Sequence, residues 1–253
     1  MRPALLTALA ASALAAAGAM APGAAEQAPQ PRAYQPVPVA LPQPVQDDSF
    51  HAFRKLLVDI AGRKDRVALA KLIARDFFWI ADGKDIAVRS RPGIDTLSRA
   101  IDLRSPDGEG WDMLAAFASD PTADPDPRRK GVICAPGDPK YDAAAADAIG
   151  KLTGTPPSAW YFPLKDGIDV RSGMTGDSPV IGTLGMHLVW VHPDDSPLAA
   201  VRTEVVRIVM PSGKLGFVST ESLAALPADL LCYVKAGNAW SIAGVVGGDA
   251  PGK

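Results

Sequence analysis

The chain has 253 residues, 47% of them hydrophobic and 21% charged, with 26 Lys and Arg against 28 Asp and Glu. A formal charge of −2, with Arg128-Arg129-Lys130 as the one dense basic run, gives no electrostatic ground for nucleic acid binding. Two cysteines and three scattered histidines lack ligand spacing, which excludes an ordinary metal centre, and no cofactor is expected.

Residues 1–25 read as a secretory signal peptide. Arg2 supplies the positive start, an alanine- and leucine-rich stretch follows, and Ala17-Gly18-Ala19 and Gly23-Ala24-Ala25 offer small residues for cleavage. Gly18, Pro22 and Gly23 interrupt the apolar run, so no stable membrane anchor is expected after cleavage. Residues 26–47 are expected to form a Pro/Gln-rich linker. Prolines at 29, 31, 36, 38, 42 and 44 favour an extended, solvated spacer.

Residues 48–155 read as a mainly helical α+β domain. Asp48 or Ser49 is placed to cap a helix carrying Phe50, Phe53, Leu56, Leu57 and Ile60, and Gly62 fits its end. Asp65 can cap a second helix. Phe77 to Val88 reads as a β-hairpin turning at Asp82-Gly83. Helices are then expected around Ile94–Ile101, around Trp111–Phe117 and over Tyr141–Leu152, with a short strand at Cys134. Thr155-Pro156-Pro157 marks the expected boundary.

Residues 156–248 change period. Short β-branched runs separated by Gly, Asp, Ser and Pro are expected to build a small all-β domain. Cys134 and Cys232 both lie in apolar, strand-like sequence. They can pair as a disulfide or be two small buried residues, and the expected export favours pairing.

Catalytic patterns are missing from the sequence. It has no Gly-rich phosphate loop, HExxH or GxSxG. Cys134 sits in Ile-Cys-Ala-Pro, outside the context of a thiol hydrolase. Asp82, Asp85, Asp107, Glu109, Asp194 and Asp195 fit turns and caps more simply than a glycosidase pair.

Ile168-Asp169-Val170-Arg171-Ser172-Gly173, Pro179-Val180-Ile181-Gly182-Thr183-Leu184 and Gly213-Lys214-Leu215-Gly216-Phe217-Val218 resemble the strands of the bacterial SH3 (SH3b) family. The resemblance implies an SH3-like small β-barrel after the helical domain, and a domain that binds rather than catalyses. It also implies a ligand groove shaped by the loop after the first strand, with Arg171, Ser172 and Asp177 as ligand-binding residues. Trp160, Tyr161 and Trp240, near the ends of this domain, are the candidate apolar floor. The expected protein is therefore periplasmic or secreted and non-catalytic, recognising peptidoglycan or an envelope protein or peptide. The alternatives are a periplasmic protein–protein interaction module and a cell-wall hydrolase.

Overall fold

The computed structural model describes residues 31–193, 204–226 and 228–247. The expected signal peptide lies outside the described residues. In chain order the helices are α1 (Asp48–Gly62), α2 (Arg66–Ala70), α3 (Gly93–Ala100), α4 (Glu109–Ser119) and α5 (Ala143–Thr153). The strands are β1 (Ile73–Ala81), β2 (Lys84–Asp85), β3 (Asp124–Pro125), β4 (Val132–Ala135), β5 (Trp160–Pro163), β6 (Ile168–Arg171), β7 (Val180–Leu184), β8 (Val189–Val191), β9 (Val205–Val209), β10 (Leu215–Ser219), β11 (Leu223–Leu226), β12 (Leu230–Ala236) and β13 (Ala239–Val246).

α1 follows its apolar spacing. Phe50, Phe53, Leu57 and Ile60 are buried on one face, while Leu56 and Val58 remain exposed. The cap is Asp47, one residue before the expected position. Its carboxylate accepts from the amides of Ser49 (2.8 Å) and Phe50 (3.1 Å), and its second oxygen takes the Lys235 ammonium at 2.8 Å. The cap therefore ties α1 to β12. The Lys235 contact, then the Ser49 and Phe50 hydrogen bonds, hold this carboxyl well below the usual carboxylate range. A depressed folded-state pKa contributes stability above the unfolded value, and that stability is lost as pH falls through the acid range below about 4. Asp47→Asn keeps a capping oxygen, so the variant should show a flatter acid limb in its melting temperature than the wild type. Thermal melts at graded pH check this; superimposable acid limbs would remove the assigned role.

The expected architecture, a mainly helical domain followed by an SH3-like small barrel, is wrong. The described protein is mostly β, with a six-stranded sheet, a seven-stranded sheet and five helices. The first sheet runs β2-β1-β13-β12-β4-β3, with β1 and β13 parallel and the other pairs antiparallel. Its last two sequential strands, β12 and β13, were expected in the barrel half. They instead fill the centre of this sheet, between β1 and β4.

Alternation along β12 assigns its two faces. Leu231 and Tyr233 pack with Phe50, Leu57, Leu97 and Leu114 under the helices. Cys232 points the other way, into a smaller cluster with Phe78, Ile80, Val132 and Cys134. Gly244 is required in β13, because a Cβ there would meet the Phe78 ring at 2.4 Å.

The second sheet runs β11-β5-β8-β9-β10-β6-β7 and is antiparallel throughout. It comes wholly from residues 160–226, so it is an insertion between β4 and β12 of the first sheet. Its interior holds Ile168, Val170, Leu184, Val189, Ile208 and Val218.

The segment expected as a solvated linker is packed from Tyr34 onward. Tyr34, Val37 and Val39 are buried with Trp160, Phe162, Leu188 and Val209. The amide of Tyr34 bonds the Pro211 carbonyl, Val39 bonds Met186, and Leu188 bonds Val37, so the backbone is satisfied by the second sheet. Ala40 and Lys140 exchange both backbone hydrogen bonds at 2.9 Å, and Val45 bonds Pro121. This strap thus touches the second sheet and the connections of the first. Among the described residues no helix is long and apolar enough to cross a membrane.

Candidate functional site

The turn after β6 places three of the candidate residues together. The Ser172 amide bonds the Pro179 carbonyl at 2.9 Å, the Ser178 amide bonds Thr175 at 3.0 Å, and the Thr175 and Ser178 hydroxyls meet at 2.9 Å. Gly173 allows this closure, since a Cβ there would lie 2.7 Å from the Ser178 hydroxyl oxygen. Arg171 donates to the Ser178 carbonyl at 2.8 Å, and its guanidinium lies 3.9 Å from Asp169. A guanidinium has five N–H donors, so one bond to the turn does not exhaust it. Ser172 and Asp177 are exposed. The Asp177 carboxyl is held below its ordinary range, first by the Thr175 hydroxyl and more weakly by the Arg171 charge.

This turn walls a groove of about 450 Å³. Arg171, Lys165 and Asp169 supply its charges, and Met174 and Phe217 supply apolar surface. The cations outnumber the acids by one in the lining. Met174 belongs to the loop that the sequence reading took to shape the groove, whereas Lys165, in the connection between β5 and β6, belongs to no motif and was missed.

The three aromatic candidates do not join Arg171. Trp160 is buried, with its ring edge-on to Tyr34 at 5.1 Å and its indole N–H on the Thr155 hydroxyl at 2.8 Å. Tyr161 is half-buried beside the interior of the second sheet. Trp240 belongs to β13 of the first sheet, its ring tilted against Phe50 at 4.8 Å with its N–H on Ser49 at 3.0 Å. The expected aromatic floor is therefore split among two sheets, because β13 returns to the first one.

Trp160 instead borders a second cleft of about 620 Å³ between α5 and the second sheet. Leu188 and Leu226 share its apolar wall, and Asp138, Tyr141, Asp147 and Lys151 stand around it. Tyr141 is the residue the sequence reading assigned only to a helix face.

Cys134 and Cys232 face one another across the β4–β12 pair and are joined by a disulfide. The Asp126 carboxylate lies beside both sulfurs. Neither sulfur is a free thiol, so this trio offers neither a nucleophile nor thiolate ligands. The histidines sit on α1 and on either side of β8: His51 lies 3.4 Å from the Arg54 guanidinium, and the Nδ1 atoms of His187 and His192 approach backbone carbonyls.

Comparison with known proteins finds no matching family model, no matching curated protein and no matching solved structure.

Proposed function

We propose that the chain is an exported, non-catalytic binding protein of the bacterial envelope, and that the groove beside Arg171 holds a carboxylate-bearing peptide of the cell wall or of an envelope protein. The observation that carries this reading is the Arg171 groove itself. Its turn is cross-braced by Thr175 and Ser178, its lining has a cationic excess, and apolar Met174 and Phe217 lie beside the charge. A planar guanidinium fits a carboxylate two-pronged, and neighbouring apolar surface takes small aliphatic groups. The resemblance of residues 168–218 to the SH3b family supports the same role. The disulfide supports binding over thiol hydrolysis, since it occupies both cysteines of the chain.

Co-sedimentation with purified sacculi and titration with carboxylate-ended envelope peptides test the proposal. Arg171→Ala should weaken binding by about tenfold, the effect of losing a charge-assisted hydrogen bond. Arg171→Lys should recover only part of it, because an ammonium lacks the two-pronged geometry. Melting temperatures belong beside the binding curves, since Arg171 also holds the Ser178 carbonyl. Unchanged affinity with a clear loss of stability would make Arg171 a structural residue and end the proposal at this groove.

A further inference from the structure

The cleft between α5 and the second sheet has chemistry opposite to that of the Arg171 groove. Its inner wall is Trp160, Leu188, Leu226 and Ala146. Its rim carries two carboxylates, Asp138 and Asp147, and a single cation, Lys151. Among the described residues neither carboxylate accepts a hydrogen bond, and neither has a cation within ion-pair distance. Lys151, one turn after Asp147 on α5, forms no ion pair with it. The two acids do act on a common point. The Tyr141 hydroxyl is pushed up first by burial and then by the negative charges of Asp138 and Asp147.

Asp138 is also fixed in place by its backbone. Its amide donates to Asp124 Oδ2 at 2.8 Å, the Gly137 amide donates to Thr122 Oγ1 at 2.8 Å, and Lys140 is clamped to Ala40. Partial burial, then the Asp124 charge, raises the Asp138 carboxyl. A carboxylate held this way gains from an incoming cation, which relieves both costs. The segment thus presents a preset acid at the mouth of an apolar cleft.

We infer that this cleft binds a primary aliphatic amine, with the methylene stem against Ala146 and Leu226 and the ammonium between Asp138 and Asp147. A volume of about 620 Å³ holds such a ligand, and a mostly apolar wall with few convergent polar groups is the common form of a small-molecule site. The site is independent of the Arg171 groove, sharing none of its lining residues. An amine can come as a free diamine or as a lysyl side chain, and the two are separable by probe.

Isothermal titration of the full mature protein with cadaverine, Nα-acetyl-lysine N-methylamide, pentan-1-ol and glutarate tests the inference. At least one amine should bind, and more tightly than the alcohol or the dicarboxylate. Preference for cadaverine points to a free amine, and preference for the lysyl probe to a peptide. The double variant Asp138→Asn/Asp147→Asn should weaken amine binding by about tenfold, and Lys151→Gln should strengthen it by roughly threefold. All three residues are exposed, and the Lys151 variant reads the site even if the double variant is destabilised. No amine binding up to roughly 10 mM, equal binding of pentan-1-ol, tighter binding of glutarate, or amine affinity unmoved in both variants would each overturn the inference.

Discussion

Removing the Cys134–Cys232 disulfide should lower the melting temperature by about 8–20 °C. The bridge spans 98 residues of sequence, and that loop contains α5 and the whole second sheet. Closing a loop of about 100 residues restricts the unfolded chain by roughly 4–5 kcal/mol in the chain-entropy account. For a protein of about 200 residues each kcal/mol moves the transition by about 2–4 °C. The sulfurs sit in the cluster of Phe78, Ile80, Val132 and Ala243, so alanine is the suitable replacement; serine would bury an extra hydroxyl. Melts of the wild type with and without reductant, against Cys134→Ala/Cys232→Ala, separate the bridge from side effects of the reductant. The reduced wild type and the double variant should melt together, and both well below the oxidised protein. Coincident melts of oxidised and reduced protein would show that the bridge does not restrain the insertion.

The strap should matter almost as much, through Tyr34. Its ring is buried against Trp160, and its hydroxyl donates to the Val209 carbonyl of β9 at 2.9 Å. Tyr34→Ala removes the ring and its hydrogen bond to β9, at an expected cost of about 3–5 kcal/mol. Tyr34→Phe keeps the ring and should cost only about 1 kcal/mol. Urea unfolding of the two variants measures both. A loss below about 1 kcal/mol for Tyr34→Ala would return this segment to the status of a spacer.

The strap also shows where local sequence stops being informative. Pro36, Pro38, Pro42 and Pro44 favour an extended chain, but extension does not decide solvation. Tyr34, Val37 and Val39 are buried because Met186, Leu188 and Pro211 lie where the extended backbone can bond them. That placement is tertiary and leaves no periodic trace. α1 was legible for the opposite reason: its apolar spacing and its acidic start lie within one short window. The β1–β2 turn at Asp82-Gly83 was legible too, since both residues adopt positive φ there.

The misassignment of β12 and β13 has a definite cause. The hairpin turning at Gly237-Asn238 looks the same whichever sheet it joins, because turn chemistry fixes register and not the next partner. Long-range pairings such as Cys232 with Cys134 and Val245 with Trp79 reveal the first sheet, across separations no local pattern records. Trp240 moved with that hairpin, which is why the expected aromatic floor dissolved. Arg171, Ser172 and Asp177 share one turn because they lie within seven consecutive residues, but of the three only Arg171 lines the groove. Asp138 drew no attention in the sequence and Tyr141 was placed only on a helix, for their cleft forms only once α5 lies against β5.

The central claim is that this chain holds a carboxylate-bearing envelope ligand at the Arg171 groove without transforming it. An NMR titration of the isotope-labelled protein with a soluble muropeptide, read on the protein amides and on the ligand, tests it most directly. The expected result is saturable shifts at residues 165–176 and 217–222, lost in Arg171→Ala, with the ligand spectrum unchanged in composition over the experiment. Shifts centred elsewhere, no shifts at saturating ligand, or the growth of cleaved muropeptide signals would contradict the account.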